Sequence, residues 1–334
     1  MEAALILLIV AVVLTLIFDY INGFHDAANA IATVVSTRAL SPMAAVIYGG
    51  VLNFAGALIG TEVAATIGKG LVNAETITIY TIICTVMAAI IWNLITWYKG
   101  LPTSSSHAII GSLLGATYFS SSAGWDSIIM GGVVNKVVIP MVASPILGIT
   151  IGFFIMVVLT WMVYRLPLAK TNKAFSKLQI VSAGFMALNH GLNDAQKSMG
   201  IIALALILTY PTDDFVVPLW VKISCALFMG LGTMAGGWKI IRTLGSKMIK
   251  LQPIHGFAAE TTASGIISAA SAFGIPVSTT HVITTSIMGV GMSKRISAVK
   301  WGLVANIVWA WILTLPLTFV FAGLLMSVFR VFIG

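Results

Sequence analysis

Two aspartates, Asp26 and Asp194, stand in stretches otherwise made of apolar residues, each three positions after a glycine, Gly23 or Gly191. A carboxylate at the centre of a lipid bilayer costs about 2.5–3.5 kcal/mol on insertion scales. Two of them at matching positions point to an ion or substrate pathway, the usual role of ionisable groups at membrane depth. Their chemistry suits a hard cation such as Na+ at Asp26 and Asp194. Asn29, Asn193 and carbonyls freed where helices unwind would serve as further oxygen ligands. The plainer alternative is a buried Asp that caps a broken helix, or that pairs with Lys197 one turn on.

Two hydroxyl clusters carry the complementary chemistry. Ser104, Ser105 and Ser106 follow Gly100 and Pro102; Ser278, Thr279 and Thr280 follow Gly274 and Pro276, and each cluster precedes an apolar helical run. That order places hydroxyls and free backbone N–H groups at a helix N-terminus, whose dipole favours anions. A tetrahedral anion such as phosphate needs many donors, and the two clusters supply them from two sides. Capping alone would need one hydroxyl, not three. Gln196 and Lys197 add an amide and an ammonium that would offset anion charge, with an ion pair to Asp194 as the competing use of Lys197. His107 and His281 fall in first helical turns, where a neutral, hydrogen-bonded ring is an adequate account and proton relay the sharper one. Glu260, in an apolar arm, is expected to couple or gate.

The elements that must position these groups belong to a membrane. Of 334 residues 59% are hydrophobic and 8% charged, against about 25% charged in soluble domains. Mean hydropathy is +1.03. Long continuous apolar runs, such as Thr76–Tyr98 and Val137–Tyr164, predict helices rather than the alternating strands of a barrel. The N-terminus lacks the basic region of a signal peptide, so the first apolar segment is expected to be retained. Cys84 and Cys225 lie inside apolar runs and read as small core hydrophobes.

The net charge of +8 comes from topology and excludes a nucleic-acid surface. Twelve of eighteen Lys and Arg residues fall in four interhelical segments free of acidic residues: Arg38, Arg165–Lys177, Lys239–Lys250 and Lys294–Lys300. The positive-inside rule makes those segments cytoplasmic and leaves the acidic turn at Asp213 and Asp214 outside. Both termini are then extracellular or periplasmic. Gly274–His281, between two basic segments, must turn inside the protein as a re-entrant hairpin.

The chain also repeats. Gly23–Ala27 recurs as Gly191–Ala195, Gly100–His107 as Gly274–His281, and Asn135 with Pro145 as Asn306 with Pro316, in the same order at offsets of 168, 174 and 171 residues. Opposite charge bias around the two copies predicts inverted topology, with the motifs meeting near the midplane. The expected fold is an all-α polytopic membrane protein of two inverted repeats, 1–164 and 178–334, joined by a basic cytoplasmic linker, 165–177. Each repeat carries a discontinuous helix and a re-entrant helical hairpin.

Asn22–Ala30, Asn193–Lys197 and Pro276–His281 together resemble the signatures of the PiT family of inorganic phosphate transporters, over nearly the whole chain. The resemblance implies a plasma- or inner-membrane symporter that takes up phosphate with Na+ or H+, without a cofactor, among membrane lipid. It is compatible with a homodimer. On family-matched positions it implies transport roles for Asp26, Asp194, Ser104, Ser278 and Glu260. Asn53 stands where animal members carry a glutamate, and Lys197 where they carry an asparagine, which leaves Na+ and H+ both open. Transport of another oxyanion such as sulfate is the near alternative. An intramembrane aspartyl protease is the remote one, since its two motifs would differ and the hairpin hydroxyls would be idle.

Overall fold

The computed structural model describes residues 2–120, 124–212 and 214–333; Asp213 and Ser122, the latter read from sequence as a surface residue, lie outside them. The described residues are helical and the element order runs twice through one pattern. A long helix, α1 (Glu2–Ser36), is followed by a bent pair, α2 (Pro42–Ala57) and α3 (Glu62–Lys69). A hairpin, α4 (Ile79–Lys99) and α5 (Ser105–Ser120), comes next. Then α6 (Met130–Val133) passes through a π turn into α7 (Ile139–Val163). The second pass repeats this with α8 (Leu168–Thr209), the bent pair α9 (Leu219–Ala235) and α10 (Trp238–Arg242), the hairpin α11 (Pro253–Ala272) and α12 (Thr279–Lys294), and α13 (Trp301–Ile333).

Among the described residues four helices are long and apolar enough to cross a membrane, or up to six spans if each bent pair counts as one. The bends, 70° and 59°, fall at Gly60 and at Gly236–Gly237, where helix propensity is lowest. α6–α7 and α13 are the outermost, with 17% and 28% of their apolar windows buried, and they present Phe154, Trp161, Trp309 and Leu324 outward. An apolar surface of that extent belongs against lipid. Cys84 and Cys225 are buried and unpaired, as expected of core residues.

The stretch expected as a linker, 165–177, is different. Only residues 164–167 separate the helices, because α7 ends at Val163 and α8 begins at Leu168 directly after Pro167, with Thr171 and Phe175 buried on one face. Proline cannot continue the preceding helix but is well tolerated just ahead of the next. The basic side chains then decorate the first turns of α8.

Packing between the two passes is reciprocal. Gly23 of α1 lies against the Met229 carbonyl of α9, and its mate Gly191 of α8 lies against the Asn53 carbonyl of α2, so a Cβ at either would collide with backbone. Thr66 beside the first bend donates to the Gly274 carbonyl at 2.6 Å, and Thr243 beside the second donates to the Gly100 carbonyl at 3.1 Å. α5 packs along α13 through Gly111 and Gly115, while α12 packs along α7 through Gly289 and Gly148. The two long helices run antiparallel: Ser198 meets Asp19 (2.8 Å), Asp194 lies beside Asp26, and Gln179 meets Thr37 (2.7 Å).

Candidate functional site

Each hairpin turns on a glycine that only glycine fills at no steric cost. Gly100 and Gly274 have φ of 67° and 62°, in the left-handed region. The turns then share their hydrogen bonds: Leu101 N to Thr96 O matches Ile275 N to Ala270 O, both 2.9 Å, and Thr103 N to Leu101 O matches Val277 N to Ile275 O. Pro102 and Pro276 keep the chain extended until a serine restarts the helix. Ser104 Oγ accepts from His107 N at 3.1 Å and Ser278 Oγ from His281 N at 3.2 Å. These are the N-caps of α5 and α12, and their hydroxyl protons stay free to donate elsewhere. The first intrahelical bonds, Ala108 N to Ser104 O and Val282 N to Ser278 O, leave the amides upstream without helical partners.

The two tips meet. Ser106 Oγ donates to the Val277 carbonyl at 3.3 Å, and the rings of His107 and His281 pack edge to face with centroids 4.7 Å apart. His281 also stacks on Trp311 at 4.0 Å, whose indole donates to the Pro102 carbonyl at 2.8 Å. Among the described residues both His281 ring nitrogens and His107 Nδ1 lack hydrogen-bond partners, so no continuous proton relay runs through them in this conformation. Ser104–His107 and Ser278–His281 are all within 2% of full burial, so the tips are closed to either side.

Around the tips the repeat mates take up matching bonds. Ser105 Oγ donates to Asp26 Oδ2 at 2.5 Å, and its mate Thr279 donates through Oγ1 to Asp194 Oδ2 at 3.2 Å. Thr280 crosses over to Asp26 Oδ1 at 3.5 Å. Asn29 Nδ2 donates to the hydroxyls of both Thr279 and Thr280, at 3.1 and 2.9 Å. Asn193 Nδ2 donates to Ser271 Oγ at 2.8 Å. His25 Nδ1 is 2.6 Å from Asp26 Oδ1, Lys197 Nζ pairs with Asp194, and His190 Nε2 lies 3.3 Å from Asp194 Oδ2. Asp26, His190 and Asp194 offer ligand atoms all within 4.8 Å of one another. The amide oxygens of Asn29 and Asn193, and the whole amide of Asn22, are buried with no hydrogen-bond partner among the described residues. Oxygens of that kind, beside carboxylates, are what a hard cation takes as ligands.

Gln196, expected to bind the anion, and Asn53 and Glu260, expected to couple or gate, lie away from the tips. Gln196 Oε1 accepts from the Val63 and Ala64 amides at 2.7 and 3.2 Å, so its side chain caps α3 instead of facing the tips. The reason is helical phase: Gln196 lies between Ala195 and Lys197 and points away from the face that carries Asp194. Asn53 donates to Thr233 at 2.7 Å and meets His190 Nδ1 at 3.1 Å, reaching Asp194 only through that ring. Glu260 is enclosed by Thr33, Ser182 and Gln179, two turns of α1 away from Asp26. It braces α1, α8 and α11 together.

Sequence reasoning passed over His25, His190, Asn22 and Asp19. His25 adjoins Asp26 and His190 lies one turn before Asp194, spacings that mark them as neighbours of the carboxylates. Asn22 and His190 are repeat mates of unlike type, so comparing the copies hides them. Asp19 is fully buried with one free oxygen, yet its mate is Ala187, and no repeat signal reaches it.

Comparisons with known proteins agree with this architecture. Residues 22–322 match the family described as "Phosphate transporter family". A "Probable low-affinity inorganic phosphate transporter" of Bacillus subtilis (strain 168) is 46% identical over 321 residues, covering 95% of this chain and 96% of the relative. One of the same description from Rhizobium meliloti (strain 1021) is 45% identical, covering 93% and 92%. A solved structure described as "The sodium-dependent phosphate transporter" has the same fold, with a TM-score of 0.85 at 24% identity, covering 97% of this chain and 99% of that one.

Proposed function

Because this chain belongs to the phosphate transporter family, we propose that it takes up inorganic phosphate by symport with Na+, binding the anion between the tips of the two hairpins. It is a transporter and not an enzyme, so the two aspartates are not a protease dyad. The observation that carries the reading is the convergence of both hydroxyl clusters and both repeated aspartates in one buried knot. Hydroxyls and first-turn amides of α5 and α12 supply the donors for a tetrahedral anion. Asp26, Asp194 and the unpartnered Asn oxygens supply the ligands for a cation.

Sodium is favoured over a proton by those amide oxygens. An amide oxygen does not bind a proton near neutral pH, whereas Na+ needs several oxygens at once. A buried oxygen without a donor costs roughly 1–3 kcal/mol, which a bound cation relieves. Phosphate and cation then stabilise each other across the shared hydroxyls, and neither is comfortable in a low-dielectric site alone.

Antiparallel α1 and α8 with reciprocal contacts support the inverted arrangement, 1–164 against 178–334. A two-fold axis that reverses membrane-crossing helices lies in the membrane plane. With the basic segments cytoplasmic, both termini are outside and the bend clamps at Thr66 and Thr243 act on opposite sides. The closed tips correspond to an occluded state, and transport requires one hairpin to separate from its clamp at a time.

The test is phosphate uptake into proteoliposomes with sodium and pH gradients imposed separately and sulfate as competitor. Uptake driven by an inward sodium gradient, and not diminished by excess sulfate, is expected. Uptake that follows the pH gradient and ignores sodium overturns the coupling assignment.

A further inference from the structure

We propose that Lys197 is a tethered stand-in for a coupling cation. Its ammonium holds the second of two symmetry-related cation positions, so one external Na+, bound on the Asp26 side, accompanies each phosphate. This rests on the sodium–phosphate reading above and adds its stoichiometry.

The inference comes from a break in symmetry at one pair of positions. Asn29 and Lys197 are repeat mates at an offset of 168 residues, each three positions after its aspartate. Their neighbours keep the symmetry, with Ser105 on Asp26 and Thr279 on Asp194. At the mates themselves it is lost. Lys197 is fully buried and its ammonium folds back one turn onto Asp194. Asn29 turns its NH2 to the Thr279 and Thr280 hydroxyls and leaves its Oδ1 buried without a partner. Asp26 meets no Lys or Arg among the described residues. One half thus has a carboxylate already answered by a fixed positive charge. The other has a carboxylate and a free amide oxygen on the same helix face, the ligand pair a sodium ion would use.

Charge counting leads to the same place. Before the anion binds, Asp26, Asp194 and the Lys197 ammonium leave a single negative charge among them, which one monovalent cation cancels. A second cation would have to displace Lys197 and leave a buried ammonium unpaired, a costly state away from water. Lys197 pairs with Asp194 and cannot leave the protein, so it contributes nothing to the ion flux. Converting Lys197 to its repeat mate's identity should open the second position.

The experiment compares the wild-type protein with Lys197→Asn and Lys197→Met in proteoliposomes, using radiolabelled sodium and phosphate. The expected flux ratio is about one Na+ per phosphate in the wild type and about two in Lys197→Asn. By mass action, a tenfold drop in subsaturating sodium then lowers uptake about tenfold and about a hundredfold, respectively. A ratio of two in the wild type, or an unchanged ratio in an active Lys197→Asn protein, overturns the proposal. If Lys197→Asn does not transport, thermal unfolding in detergent decides. Lys197→Asn should be destabilised without sodium and regain stability as sodium rises, while Lys197→Met, which offers no oxygen, should not. An equal sodium response of the two variants overturns the proposal. Wild-type uptake that ignores sodium defeats the coupling reading itself; sodium-driven uptake at two ions per phosphate defeats only the role given to Lys197.

Discussion

Replacing Ser104 separates a phosphate donor from a helix cap, because the structure gives that one hydroxyl both tasks. As N-cap of α5, Ser104 Oγ accepts from His107 N at 3.1 Å. Losing a serine cap to alanine costs about 1 kcal/mol, but to glycine only a few tenths. Losing a donor to a buried charged ligand costs about 1.5–3 kcal/mol, roughly ten- to a hundredfold in affinity. Ser104→Ala and Ser104→Gly should therefore weaken phosphate binding by nearly the same factor of about ten to a hundred, while only Ser104→Ala loses the cap as well. Ser278→Ala and Ser278→Gly should behave alike for the same reason, since Ser278 caps α12 through His281 N. The control is Ser41, the exposed cap of α2, whose Oγ accepts from Ala44 N at 3.3 Å. Ser41→Ala should cost stability without touching affinity. The assay is equilibrium binding of labelled phosphate to purified protein in saturating sodium, with thermal unfolding measured alongside. Wild-type affinity in Ser104→Gly and Ser278→Gly would show that both serines are caps only, and the cradle between the tips would be refuted.

Other perturbations test separate parts of the site. Asp26→Asn should abolish sodium-driven accumulation of phosphate while leaving folded protein in the membrane, and normal sodium dependence in that variant would remove Asp26 from the cation site. Glu260→Gln should lower stability by about 1–3 kcal/mol, because Thr33 and Ser182 both donate to the carboxylate and an amide presents one acceptor in place of two. Its phosphate affinity should stay within twofold in a binding titration; a larger loss would place Glu260 in the substrate path. A cysteine at exposed Lys173 should be shielded from impermeant reagents applied to intact cells, and its labelling from outside would reverse the assigned topology.

Much of this protein follows from its sequence because the bilayer constrains it so tightly. Continuous apolar runs in a chain with 8% charged residues allow only helices. The recurrence of Gly-x-x-Asp and of Gly-x-Pro before three hydroxyl residues locates the chemistry, since Gly23 and Gly191 make room for a neighbouring helix backbone while the hairpin tips need glycine's positive φ and proline's rigidity. What sequence could not decide is where a side chain spends its hydrogen bonds. Gln196 and Lys197 are neighbours in the chain, yet one caps α3 and the other answers Asp194, because adjacent residues on a helix point about 100° apart. Glu260 has partners on α1 and α8, 227 and 78 residues away, that no local pattern announces. Asp19 lies in an apolar run without a repeat mate, and only the packing of α8 against α1 brings Ser198 to it. A repeat declares itself through what its copies share; the asymmetry between Asn29 and Lys197 acquires meaning only when the fold sets both beside the same pair of carboxylates.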